Sequence, residues 1–177
     1  ILEPLGMSDT YSEMPEQHLG GQLATGYSGI TREGIRVEVP FFQARGIAPA
    51  AGYASTVDDL AKFAMWQFRL RGDHEEILHG YTLAEMQRTH FVDPDNDTRR
   101  GLGFSVSRRD GKTWVGHGGS CPGFRTTFTM QNDEKIAAIA FVNARANPSK
   151  YANGVYELVV DAVLAAAKGD AARMATN

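Results

Sequence analysis

The sequence predicts an α+β fold, with an antiparallel meander sheet packed by a C-terminal helix and, before it, a loop- and helix-rich subdomain. Three observations carry this. Residues 101 to 143 hold short β-rich runs separated by turn signals, Asp110-Gly111 and Asn132-Asp133 among them. Residues 151 to 168 place Val155, Leu158, Val159, Ala162 and Val163 at helical spacing. Most remaining turn signals, with two further helical patterns, fall in the first hundred residues.

Ile1 to Met7 read as the tail of a helix running into Pro4 and Gly6. There is no initiator methionine and no basic stretch followed by an apolar run, so the chain is expected to begin mid-structure, with any targeting signal upstream. Residues 8 to 20 are polar and predict a loop. Gln22 to Ser28 and Ile35 to Phe42 predict two short strands, joined through Gly29 to Gly34. Residues 44 to 54 form a loop leading into a helix. Thr56 can cap that helix, and Asp59 stands where a capping-box acid would. The helix is expected from Val57 to Arg71, with Leu60, Phe63, Ala64 and Phe68 on one face and Gly72 as the stop. A shorter helix is expected over Thr82 to Thr89, with Leu83 and Met86 inward, and residues 93 to 100 as a charged surface loop.

In the second half, Gly101 to Arg108 is a strand, Asp110-Gly111 a tight turn and Thr113 to Gly116 the returning strand. A glycine-rich bend is expected from Gly116 to Gly123. Phe124 to Gln131 and Lys135 to Asn143 are further strands, and Tyr151 to Lys168 is the closing helix, fraying from Gly169. Residues 1–100 and 101–177 are read together as one incomplete domain.

Composition narrows the function. The formal net charge of −3 gives no basic field, so no nucleic acid or anionic membrane partner is expected. No apolar stretch is long enough to span a bilayer. The single cysteine, Cys121, excludes an intrachain disulfide. No cofactor or metal is expected. His18, His74, His79 and His90 fit no metal spacing, and Asp93, Asp95 and Asp97 lack the glycine and glutamate of a calcium loop.

One segment stands out for chemistry: Trp114-Val115-Gly116-His117-Gly118-Gly119-Ser120-Cys121-Pro122-Gly123-Phe124. Glycines let a backbone approach a ligand closely. A histidine there can face a cleft, and freed N–H groups can hold an oxyanion. A β-bulge carrying a solvated histidine explains the same residues equally well. Cys121 beside His117 raises a thiol nucleophile, a minor reading because no third orienting group is apparent.

His117-Gly118-Gly119 resembles the His-x-Gly variant of the third signature of the β-lactamase and penicillin-binding-protein serine hydrolases, written Lys-Thr-Gly in many members. Gly101-Leu102-Gly103-Phe104 resembles the strand that precedes this signature, and Pro122-Gly123-Phe124 the turn that follows it. Gly52 to Phe63, with Ser55-Thr56 and Asp59-Leu60, resembles the family's helix start. Ile1 to Met7 with Asp9-Thr10 resembles the stretch after the second signature, Tyr-x-Asn. The matches keep the family's order and cover most of the chain. The resemblance implies a partial β-lactamase/transpeptidase-like fold related to class C β-lactamases, esterases and D-alanyl-D-alanine carboxypeptidases. It implies that His117 lines the site, that Gly118 and Gly119 keep a strand edge open, and that the Ser120 N–H is an oxyanion donor. The compartment stays open, since family members are periplasmic, secreted or cytoplasmic.

The first signature, Ser-x-x-Lys, does not occur: none of Ser8, Ser12, Ser28, Ser55, Ser105, Ser107, Ser120 and Ser149 has lysine three residues on. Tyr151-Ala152-Asn153 spells the second signature after the third, out of order, and Lys112-Thr113-Trp114 lacks the glycine. Two functional readings follow. The chain is the C-terminal part of a serine hydrolase acting on a small acyl substrate (an ester, a β-lactam or a D-amino-acid peptide), completed by a missing N-terminal segment and inactive alone. Alternatively it is an inactive fragment that self-associates with a second copy through an exposed sheet edge.

Overall fold

The computed structural model describes residues 1–69, 77–95 and 98–174. Six strands form one antiparallel sheet in which every strand pairs with its sequence neighbour: β1 (Phe91–Asp93), β2 (Thr98–Arg100), β3 (Ser105–Arg109), β4 (Lys112–Cys121), β5 (Phe124–Gln131) and β6 (Ile136–Val142). This is the meander expected from the turn spacing. The helices are the single turn α1 (Ala48–Ala51), then α2 (Val57–Gln67), α3 (Gly80–Gln87) and the long α4 (Ser149–Met174).

The tight turns do what their residues dictate. Asp110 (φ 52°) and Gly111 (φ 77°) both take positive φ, as a two-residue hairpin between Arg109 and Lys112 requires. Pro122-Gly123 joins β4 to β5, with Gly123 at φ 82°.

Successive strand residues point to opposite faces. Val115 and its partner Met130 face α2, where they are buried with Ala64 and Phe104. Each such burial contributes about 1.5–3 kcal/mol. Phe63 of α2 reaches Phe128 with ring centroids 5.8 Å apart. A second cluster joins Leu5 and Met7 of the N-terminal segment to Trp66 and Leu83. Trp114 points to the other face and meets Tyr156 of α4 edge-on at 4.5 Å.

Several expectations are corrected. The runs at 22–28 and 35–42 form no ladder. They meet in one bridge, Tyr27 with Glu38, flanked by Ser28 N–H to Val37 O and Val39 N–H to Gly26 O. The alternating Ile35 and Val37 stay 57 % and 51 % exposed, so no core rewards a longer pairing. The charged stretch 93–100 carries the ends of a β1–β2 pairing rather than a free loop. The glycine-rich bend is part of β4, which runs unbroken to Cys121. Helix α2 ends at Gln67, because Arg69 turns to φ 56°; Gly72 lies outside the described residues. The α4 helix continues to Met174 rather than fraying at Gly169. Its apolar stripe is not buried: Val155, Leu158, Val159 and Val163 are exposed, and the helix turns Ala152 and Tyr156 inward.

Candidate active site

The two ends of β4 fix which way its backbone points. Both flanking turns contain two residues, so Arg109–Lys112 and Cys121–Phe124 are hydrogen-bonded pairs. Alternation then sends the N–H and C=O groups of Lys112, Trp114 and Gly116 to β3, and those of the odd-numbered residues to β5. The Asn132 N–H donating to Thr113 O agrees with this parity.

Pairing with β3 stops at Gly116, opposite Ser105. Before Ser105 the chain turns away: the Gly101 N–H donates to Phe104 O at 2.8 Å, and the Leu102 N–H to Met86 O at 2.8 Å. Gly118 and Ser120 therefore aim their N–H and C=O groups at an edge that has no strand partner among the described residues. His117, Gly118, Gly119 and Ser120 are all exposed.

His117 lies on the α2 face, opposite Phe128, and its Nδ1 is 2.7 Å from Gly118 O. Gly116 permits the strands to approach: a Cβ there would overlap the Phe128 carbonyl oxygen. A Cβ on Gly119 would overlap Thr126 Oγ1. The four residues singled out in the sequence thus lie along one exposed strip, with backbone donors on its edge.

Other candidates separate from this strip. Cys121 shares the face of His117 but stands four residues away, about 13 Å along a strand. Burial pushes its thiol pKa up, which disfavours the thiolate. The Asn143 side-chain amide donates to Thr25 O at 2.9 Å, and the Asn143 backbone carbonyl accepts from the Tyr27 N–H. Lys112 pairs with Glu134 at the far end of β4. Tyr151 and Asn153 sit in the first turns of α4, both exposed. Of the scattered histidines, His18 packs edge-on to Tyr11, His79 stacks on Tyr81 and the His90 ring contacts Glu85 O; His74 lies outside the described residues. Among the described residues no group of three or more His, Cys, Asp or Glu side chains could hold a metal ion, and no helix is long and apolar enough to cross a membrane.

Two features escaped the sequence reading. Residues 25–29 form a strap across the β4–β5 turn. Gly26 presses so close that a Cβ on it would lie 2.9 Å from the Gly123 Cα, and the Tyr27 N–H donates to both Gly123 O and Asn143 O. The facing glycines, far apart in sequence, gave no local signal. The second is Asp59, only 1 % exposed. Thr56 caps α2 as expected, but the Asp59 carboxylate does not close a capping box. It reaches the N-terminal segment instead.

An antiparallel sheet flanked by helices, with an exposed glycine-lined strip at His117 to Ser120, is an α+β arrangement of the β-lactamase/transpeptidase-like kind. The β-lactamase family profile matches residues 1–169, and the chain belongs to that family of serine hydrolases. It is similar to the octameric penicillin-binding protein homologue from Pyrococcus abyssi (27 % identity, TM-score 0.74, 90 % of this chain and 35 % of that one). It is also similar to the D-amino acid amidase from Ochrobactrum anthropi (27 %, TM-score 0.63, 94 % and 49 %). In fold alone it matches the class C β-lactamase from Rhodobacter sphaeroides (14 %, TM-score 0.67, 92 % and 52 %). The chain thus spans between 35 % and 52 % of the length of these structures. No curated protein matches it.

Proposed function

We propose that this chain supplies the oxyanion side of a serine hydrolase whose Ser-x-x-Lys nucleophile comes from a segment upstream of Ile1 or from another chain. The observation that carries this is the open edge of β4, where Gly118 and Ser120 present backbone groups beside an exposed His117. In the reaction the serine Oγ attacks the substrate carbonyl, and the Ser120 N–H, with the nucleophile's own N–H, receives the negative charge that forms on oxygen. A donor of this kind lowers a barrier by about 2.7–4 kcal/mol. Collapse expels an alcohol or amine, and water then releases the acid. His117 lines the site and holds substrate by hydrogen bonding. Gly118, where a Cβ would meet nothing nearer than Thr126 O at 3.6 Å, leaves room for substrate to lie along the strand, while the space beside Gly119 is filled by the Thr126 hydroxyl.

The substrate class we favour is an ester or a D-amino-acid amide or peptide, rather than a β-lactam. Histidine in the third signature supports this, as does the similarity to a D-amino acid amidase at 27 % identity. The test compares a chromogenic ester, a D-amino-acid anilide and a chromogenic cephalosporin, using a polypeptide extended upstream to include the nucleophile. Turnover of the first two above the third supports the reading; a preference for the cephalosporin rejects it.

A second reading is favoured by a specific observation. The outer edge of β6 carries no strand among the described residues, and Leu158 (71 % exposed) and Val163 (56 %) leave an apolar flank on α4. In this reading the chain self-associates through that edge, alone or in addition to its role above. Sedimentation velocity on the chain checks it: a concentration-independent monomer rejects it.

A further inference from the structure

Asp59 is a buried carboxylate at the start of α2, and the acyl chemistry has no use for it. Its Oδ2 accepts from the Asp9 N–H and from Thr10 Oγ1, each at 2.9 Å, and its Oδ1 accepts from Lys62 Nζ at 2.6 Å. Lys62 also donates to Gly6 O at 2.5 Å. Thr10 Oγ1 also lies 2.8 Å from Ser55 Oγ, whose hydroxyl is within reach of Thr56 O at 3.3 Å. The paired Asp59 and Lys62 side chains therefore tie residues 6 to 10 to α2 from both ends of that turn, Lys62 at Gly6 and Asp59 at Asp9 and Thr10. Just beyond it, Tyr11 and Ala54 exchange backbone hydrogen bonds of 2.8 and 3.0 Å. The same segment buries Leu5 and Met7 against Trp66 and Leu83.

We propose that Asp59 and Lys62 form a charge-dependent latch, which holds the N-terminal segment on α2 and releases it, with the sheet still folded, when the carboxylate is protonated. The ionisable groups on the two elements that meet at Asp59 are Lys62 and Asp58 on α2, and the Ile1 amine, Glu3, Asp9 and Tyr11 on the segment. Asp58, Glu3 and Asp9 are exposed, so only Lys62 is positioned to hold the charge. Burial, the largest single influence on Asp59, pushes its pKa up. The hydrogen bonds from Lys62, Thr10 and Asp9 together outweigh it and hold the carboxyl below its ordinary value. A depressed folded pKa gives stability that is present above the ordinary aspartate range, about pH 4, and lost as pH falls below it. Protonation removes the charge-assisted bonds, which are the strong ones. It leaves the Thr10, Asp9 and Lys62 donors competing for a weaker acceptor.

The latch is tested by amide hydrogen exchange on the chain, read residue by residue as protection factors. In Asp59→Asn at pH 7, the Tyr11 and Ala54 amides should lose about tenfold or more of their protection, while Val115 and Met130 keep theirs. The unaltered protein should show the same selective loss as pH falls below the aspartate range, and the Asp59→Asn variant should have a segment insensitive to pH. Thr10→Val, which removes one donor and keeps the charge, should give a smaller loss confined to the same amides, and it stands in if Asp59→Asn does not fold. Unchanged protection at Tyr11 and Ala54 in both variants would overturn the latch. So would loss that strikes the segment and the sheet together.

Discussion

Gly119 lies directly opposite Thr126 on the β4–β5 pair, and the Thr126 hydroxyl occupies the space that a side chain on Gly119 would need. The exposed strip that begins at His117 is therefore roofed in part by a neighbouring strand. Gly116 differs: the atom a Cβ would meet is the Phe128 carbonyl oxygen, a backbone atom that cannot swing aside.

Those two contacts predict different outcomes for the same substitution. Gly119→Ala requires only that Thr126 change rotamer, at a cost of about 0.5–1.5 kcal/mol, and Thr126→Ala in the same chain should recover most of it. Gly116→Ala must move backbone and should cost about 1–3 kcal/mol, with no rescue from Thr126→Ala. Urea denaturation of the four variants measures both.

Val115 and Met130 lie under α2, whereas Ile35 and Val37 alternate on an open pairing. Met130→Ala should destabilise by about 2–5 kcal/mol. Ile35→Ala should change stability by less than about 0.5 kcal/mol. Thermal unfolding followed by circular dichroism separates them.

Tyr156 docks α4 in two ways, by its ring on Trp114 and by its hydroxyl on Glu134 Oε2 at 2.5 Å. The hydroxyl faces solvent, so Tyr156→Phe should cost less than about 1 kcal/mol. Tyr156→Ala loses the ring as well, and an aromatic pair adds about 0.5–1.5 kcal/mol beyond its buried area. The indole emission of Trp114 reports the change directly in a denaturant titration, with Trp66→Phe as background.

Cys121 should alkylate slowly. Burial raises its pKa, and only the thiolate reacts. Its rate with iodoacetamide should therefore climb at a pH above that of a free cysteine, whose pKa is about 8.5. A midpoint below that value would contradict the burial seen at this position.

Much of this fold was written locally. Asp110-Gly111 demanded a two-residue hairpin, and the spacing of the turns gave the meander. The exposed strip His117 to Ser120 stood out because its glycines lie close together in sequence. Its conformation was not legible: the four glycines from Gly116 to Gly123 suggested a bend, and the strand pairing with Phe124–Gln131 overrode that local freedom. The alternation of Ile35, Val37 and Val39 implied a strand, but alternation says nothing of whether a partner surface exists. Thr56 read as the cap and Asp59 as the capping-box acid because the two lie three residues apart. Of the partners of the Asp59 carboxylate, Lys62 is three residues on, but Asp9 and Thr10 lie fifty and forty-nine residues away. The helical period of α4 was correct, but a period does not say which flank of a helix finds a partner.

The central claim is that this chain carries the oxyanion edge while the nucleophile lies elsewhere. Intact-mass spectrometry after treatment with a fluorophosphonate, which marks activated serines, tests it most directly. Two samples are compared: the 177-residue chain and a polypeptide extended upstream to include Ser-x-x-Lys. One adduct is expected on the extended polypeptide, with labelling that slows when His117 is replaced by alanine, and none on the 177-residue chain. An adduct on a serine within the 177 residues, or none on the extended polypeptide, would contradict the claim.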